Sequence, residues 1–140
     1  MTKQKNTRPQ SNNDKMETNG GVQVQGIKLK YSSEKTNAYG TNHFFQVLDE
    51  SPLKEIIELG KDMKMPIWEY NGKFYLKFND KKVLDYSVDL MNESNGSEIT
   101  QITFKKDAPY IMDFTFTKYG FEKNQEQITG YTISKINKIY

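Results

Sequence analysis

Three aromatic residues and two lysines share one phase of a short stretch: Trp68, Tyr70, Lys73, Tyr75 and Lys77, within Pro66 to Phe78. Flat π faces stack on unpaired bases at about 1–3 kcal/mol per base, and neighbouring ammonium groups meet the phosphates. What brings these residues together is Asn71-Gly72, the strongest short-range signal for a two-residue β-hairpin turn. A turn there pairs Tyr70 with Lys73, Glu69 with Phe74, Trp68 with Tyr75 and Ile67 with Leu76. Successive pairs fall on opposite faces. Ile67, Phe74, Leu76 and Phe78 form the more aliphatic face and are expected to be buried, with Glu69 near the turn. The aromatic and lysine face is then left outward.

Other chemistry is sparsely provided. The chain has one histidine, His43, and no cysteine. There is thus no thiolate nucleophile, disulfide framework or imidazole-rich metal site to build. His43 precedes Phe44-Phe45 in a strand-like segment and reads as a structural or surface histidine. Gly-x-Ser-x-Gly, Walker A and dinucleotide-binding glycine patterns are lacking. Asp85 and Asp89 have the composition of an acid/base pair or a hard-cation site, and equally of ordinary solvated charges. The expectation is a non-enzyme with no cofactor and no metal.

These residues must be held by one domain, since 140 residues suffice for a single core. Residues 1–21 are polar, with four basic and two acidic side chains, and cannot offset the entropy of ordering a backbone. They read as a disordered arm, either a solvated tail or an electrostatic tether. The domain at 22–140 has 16 lysines against 16 carboxylates, so nucleic-acid binding there requires local clustering. Lysine outnumbers arginine 19 to 1, a skew that codon usage can produce, so lysine-rich stretches are discounted. No apolar run approaches the roughly 20 residues of a membrane span, and the first residues show no secretory signal. A soluble, cytoplasmic protein with no membrane partner is expected.

Val22 to Tyr31 alternates on one phase through Val24 and on the other from Ile27, the pattern of a strand bulged at Gly26. Lys28 and Lys30 then point away from Ile27, Leu29 and Tyr31. Asn42 to Leu48 is a second strand. Asp49-Glu-Ser-Pro52 suits a helix start, and Leu53, Ile56, Ile57, Gly60 and Met63 recur at helical spacing, predicting one α-helix over about 52–64. Lys82–Met91, Ile99–Lys105, Tyr110–Tyr119 and Gln127–Lys135 read as further strands. In Tyr110–Tyr119, Asp113, Thr115 and Thr117 are expected on the wet face. Eight or so strands with one helix describe a mainly β, β-rich α+β fold: a small antiparallel barrel or coiled sheet.

This layout, a bulged basic first strand, one helix among strands and a ribbon with aromatics and lysines on one face, resembles that of the OB-fold single-strand-binding proteins. The resemblance runs over Val22 to Lys135 and implies a five-stranded barrel. It also implies base stacking by Trp68, Tyr70 and Tyr75 and phosphate contacts by Lys28, Lys30, Lys73 and Lys77. Non-catalytic binding of single-stranded nucleic acid, DNA favoured over RNA, is the expected function. A protein-interaction module, an inhibitor or scaffold component using the same rings as anchors, is the alternative. A carrier of a small apolar ligand inside the barrel is the third reading.

Overall fold

The structure, a computed structural model, describes residues 21–93 and 102–140. It is mainly antiparallel β. The strands are β1 (Val22–Asn37), β2 (Gly40–Val47), β3 (Ile67–Tyr70), β4 (Lys73–Asn79), β5 (Pro109–Lys123) and β6 (Glu126–Ile139). They form one sheet in the order β3-β4-β2-β1-β5-β6, curled into a half-barrel. Six strands are present among the described residues, not eight or five. The stretch from 82 to 91 is helical, and the expected strand at 99–105 lies partly outside the described residues and shows no strand over 102–105.

The expected hairpin register is the observed one, Ile67 opposite Leu76 through Tyr70 opposite Lys73. Asn71 and Gly72 both have positive φ, 52° and 78°, the geometry that matches the twist of the flanking strands. The same solution recurs between β5 and β6, where Asn124 and Gln125 have φ of 51° and 67°. β1 bulges where expected, its register against β5 slipping between Val24 and Ile27. Gly26 adopts φ 71° there, and its N–H donates to Asp113 Oδ1 at 2.8 Å.

Asp113 thus lies on the face opposite Met112 and Phe114, as expected, but is not exposed to water there. Its other oxygen accepts the Tyr140 hydroxyl at 2.9 Å, and both Asp113 and Thr115 are buried. The Thr115 hydroxyl bonds Asn137 Oδ1 across β6. The bond to Asp113 raises the Tyr140 phenol above its usual range, with burial adding to it.

The helix expected over 52–64 is a 3-10 turn, Ser51–Leu53, leading into α1 (Lys54–Leu59). Ser51 does not cap it. Asp49 Oδ1 instead accepts the Ser51 N–H at 3.0 Å, an Asx turn that holds the Asp49 carboxyl below its ordinary range. Leu53 and Ile56 reach the core and are fully buried.

A second helix, α2 (Asp80–Glu93), corrects the expectation of one helix and of a strand at 82–91. Its start is set by Asn79, whose Oδ1 accepts the Lys81 N–H at 2.8 Å, and Asp80 adds a negative charge to the first turn. Val83, Tyr86 and Ser87 form the buried face at helical spacing, while Leu84 is exposed. The Tyr86 hydroxyl oxygen accepts the Ile139 N–H at 3.0 Å, tying α2 to the end of β6.

The core lies in the concavity of the sheet. Ile27, Leu29, Phe45, Leu76, Met112, Phe114, Phe116 and Ile136 are essentially inaccessible. Phe45 packs edge-on against Tyr31 and Phe104 and stacks on Phe78 at 5.1 Å. Such aromatic pairs add about 0.5–1.5 kcal/mol beyond the area they bury. Their rigidity supports the opposite face of the same strands.

One further contact bends the sheet toward closure. Lys64, ahead of β3, forms a parallel bridge to Gly130 of β6, with Lys64 N–H donating to Thr129 O (3.1 Å) and Tyr131 N–H to Lys64 O (2.9 Å). Two residues on, Pro66 O accepts the Lys77 N–H of β4 at 3.0 Å. Residues 64–66 thus form a seam joining the two ends of the sheet.

Candidate nucleic-acid interface

Cross-strand partners in a sheet share a face. Trp68 of β3 pairs with Tyr75 of β4, Tyr75 with Gln46 of β2, and Gln46 with Lys30 of β1. These four residues form one row across four strands on the outside of the half-barrel. A neighbouring row runs Ser33, Phe44, Lys77. Beyond the other side of the first row, Tyr70 pairs with Lys73 at the hairpin turn.

The rings at the centre form a fixed group. Trp68 and Tyr75 stack with centroids 6.0 Å apart and planes 22° from parallel, and Phe44 meets Trp68 edge-on at 6.0 Å. Trp68 retains 36% of its surface and Tyr70 64%. Lys35 lies 6.0 Å from the Phe44 ring centroid, a long cation–π contact.

Electrostatics distinguishes this face from the rest of the molecule. The outward positions are Lys28, Lys30, Ser33 and Lys35 on β1, then Asn42, Phe44 and Gln46 on β2. On β3 and β4 they are Trp68, Tyr70, Lys73, Tyr75, Lys77 and Asn79. Every charged residue among them is a lysine. The helices are mixed in charge: Glu55 and Glu58 with Lys54 on α1, and Asp80, Asp85, Asp89 and Glu93 with Lys81 and Lys82 on α2. A domain of balanced charge thereby acquires a basic aromatic face. At its margin, Lys28 lies near enough to Asp49 to contribute to lowering that carboxyl.

All seven residues expected from the sequence lie on this outer face. Trp68 and Tyr75 are in contact, Lys30 and Lys77 border them, and Tyr70 with Lys73 stands at the turn. Lys28 is farthest away, at the β1–β5 junction opposite Ile111. Phe44 and Lys35 belong to the face and were not singled out from the sequence. The signal for Phe44 was the doublet Phe44-Phe45, which in a strand must put one ring on each side.

His43 faces inward and is buried. Its Nδ1 lies 3.0 Å from the Tyr31 hydroxyl and its Nε2 2.7 Å from Asp80 Oδ1, so both ring nitrogens are partnered. Tyr31 also lies 3.3 Å from Glu34 Oε1, and burial, reinforced by the Glu34 charge, pushes its phenol up to about 12. Asp85 and Asp89 do not form a pair; Lys81 approaches Asp85 at 3.3 Å and Lys135 approaches Asp89 at 4.0 Å. Among the described residues no three His, Asp or Glu side chains converge as a metal site, and no helix is long and apolar enough to cross a membrane.

No family model matches the chain, and neither a curated protein nor a solved structure matches it.

Proposed function

We propose that the protein binds single-stranded nucleic acid, DNA in preference to RNA, on the outer face of β1–β4, without catalysis. The observation that carries this reading is the Trp68–Tyr75–Phe44 ring group set among lysines on a face free of carboxylates. Bases stack on the rings, and Lys30, Lys73 and Lys77 neutralise successive phosphates. Because every base has a π face, sequence preference is slight. The resemblance in layout to OB-fold single-strand-binding proteins supports the same reading. Tyr70, Lys28 and Lys35 extend the surface on either side of the ring group.

Trp68 is the single tryptophan of the chain, so its fluorescence reports on the site directly. Titration with oligo-dT is expected to quench it, and oligo-rU to quench it at higher concentration. Three lysine contacts predict a log–log salt slope near −2, from about −0.7 per phosphate on a single strand. Unquenched fluorescence, or affinity indifferent to salt, would reject the proposal. Capture of a protein partner that Trp68→Ala abolishes, with no oligonucleotide binding, would establish the interaction module instead.

A further inference from the structure

The ring group is not the end of the exposed aromatic surface. Phe44 pairs with Lys77, and Lys77 forms one wall of a cleft of about 710 Å³ at the seam. Lys64, Tyr119 and Tyr131 form the opposite side. Beyond the cleft, Tyr119 and Phe121 stack on each other along β5, centroids 6.2 Å apart and planes 7° from parallel. Both are exposed, at 36% and 45%. One side of the Tyr119 ring covers Gly130, and the surface the two rings leave open side by side marks a contact surface.

We infer that the seam cleft is a second subsite for the same strand, with Lys64 and Lys77 holding a phosphate and Tyr119–Phe121 stacking a base beyond it. This rests on the proposed function and extends it. The occupant is a polyanion rather than a second copy of the chain because the charged side chains of the cleft are both lysines, which repel their like. A continuous strand supplies alternating anionic and planar groups, and the surface alternates in the same way: rings Tyr75, Trp68 and Phe44, cations Lys77 and Lys64, rings Tyr119 and Phe121. The backbone of Lys64 makes the seam hydrogen bonds, which leaves its ammonium group available.

The test compares two lengths of oligo-dT, about 4 and about 16 nucleotides, spanning the usual site sizes of single-strand-binding folds. Both are titrated into the full chain with Trp68 fluorescence as readout. The longer strand is expected to bind more tightly, with a salt slope steeper by about −0.7 for the added Lys64 contact. Phe121→Ser is expected to weaken the longer strand at least about fivefold, the lower bound for one lost stacked base, and Lys64→Glu to weaken it and remove the added salt slope, both leaving the shorter strand unchanged. Phe121 is solvent-exposed on a hairpin end, so its replacement leaves folding intact; circular dichroism of each variant checks this. If both strands quench Trp68 but the variants leave the longer one unchanged, the subsite is overturned and the first site stands. If neither strand quenches, the first site itself fails. A change in the sedimentation of the free chain on Phe121→Ser, with oligonucleotide affinity unaltered, overturns the subsite in favour of a contact between copies.

Discussion

Trp68 and Tyr75 lie directly opposite each other on β3 and β4, their rings stacked at 6.0 Å, while Ile67 and Leu76, the next pair along, are sealed in the core. One turn therefore serves two faces with different tasks, and substitutions on the two faces should separate. Trp68→Ala is expected to weaken oligo-dT binding by about 1–3 kcal/mol, one stacked base, measured by fluorescence anisotropy of labelled DNA. Its cost to folding should be about 1 kcal/mol or less, the range for an exposed cross-strand pair.

Leu76→Ala, one residue from Tyr75, should do the reverse. Leu76 is fully buried, and emptying its site is expected to cost about 2–5 kcal/mol in urea unfolding. Binding by the folded fraction should be unchanged. Equal effects of both variants on both measurements would contradict the two-faced ribbon.

Gly130 is where the seam tolerates no side chain. A Cβ there would stand 2.6 Å from Lys64 O and 2.7 Å from the Tyr119 hydroxyl. Backbone cannot yield as the end of a side chain can, so Gly130→Ala is expected to lose about 1–3 kcal/mol, as for other overpacked sites, and to detach residues 64–66. Hydrogen exchange at the Lys64 and Tyr131 amides, both bonded across the seam, should accelerate first.

The Tyr31 phenol makes stability fall at high pH. Its pKa is raised from 10.0 to about 12 by burial and by Glu34, so the folded chain holds the proton more tightly than the unfolded one. The contribution is complete below pH 10 and is lost as pH climbs through about 12. Tyr31→Phe should remove that part of the alkaline loss. At neutral pH it should be destabilised by about 1–3 kcal/mol, because buried His43 Nδ1 loses its partner. Urea midpoints across the alkaline range measure both effects.

The hairpin was legible because alternation and turn chemistry agreed there: Asn71-Gly72 admits one register, and a slip by one residue would put Trp68 inside and Ile67 outside. The bulge at Gly26 was legible for a similar reason, since the hydrophobic phase changes at a residue free to take positive φ. α2 was not. Leu84, Tyr86, Val88 and Leu90 alternate like a strand, and the competing helical set of Val83, Tyr86 and Ser87 includes a serine, whose hydroxyl satisfies itself on Val83 O at 3.0 Å. The capping pair Asn79-Asp80 was the deciding signal. Burial of Asp113 was illegible because it depends on a partner 87 residues away, Gly26 N, and on Tyr140 folding back over it. The outward position of Phe44 and the whole seam likewise depend on pairings between distant segments.

Five lysines and no carboxylate on the outer face of β1–β4 give a domain of balanced charge one locally positive surface. A local positive potential of this kind favours, within about a Debye length, those approaches of a polyanion that meet the sheet face. Under the proposed function, the rate of encounter with an oligonucleotide should therefore fall as ionic strength rises, even though the domain carries no net charge.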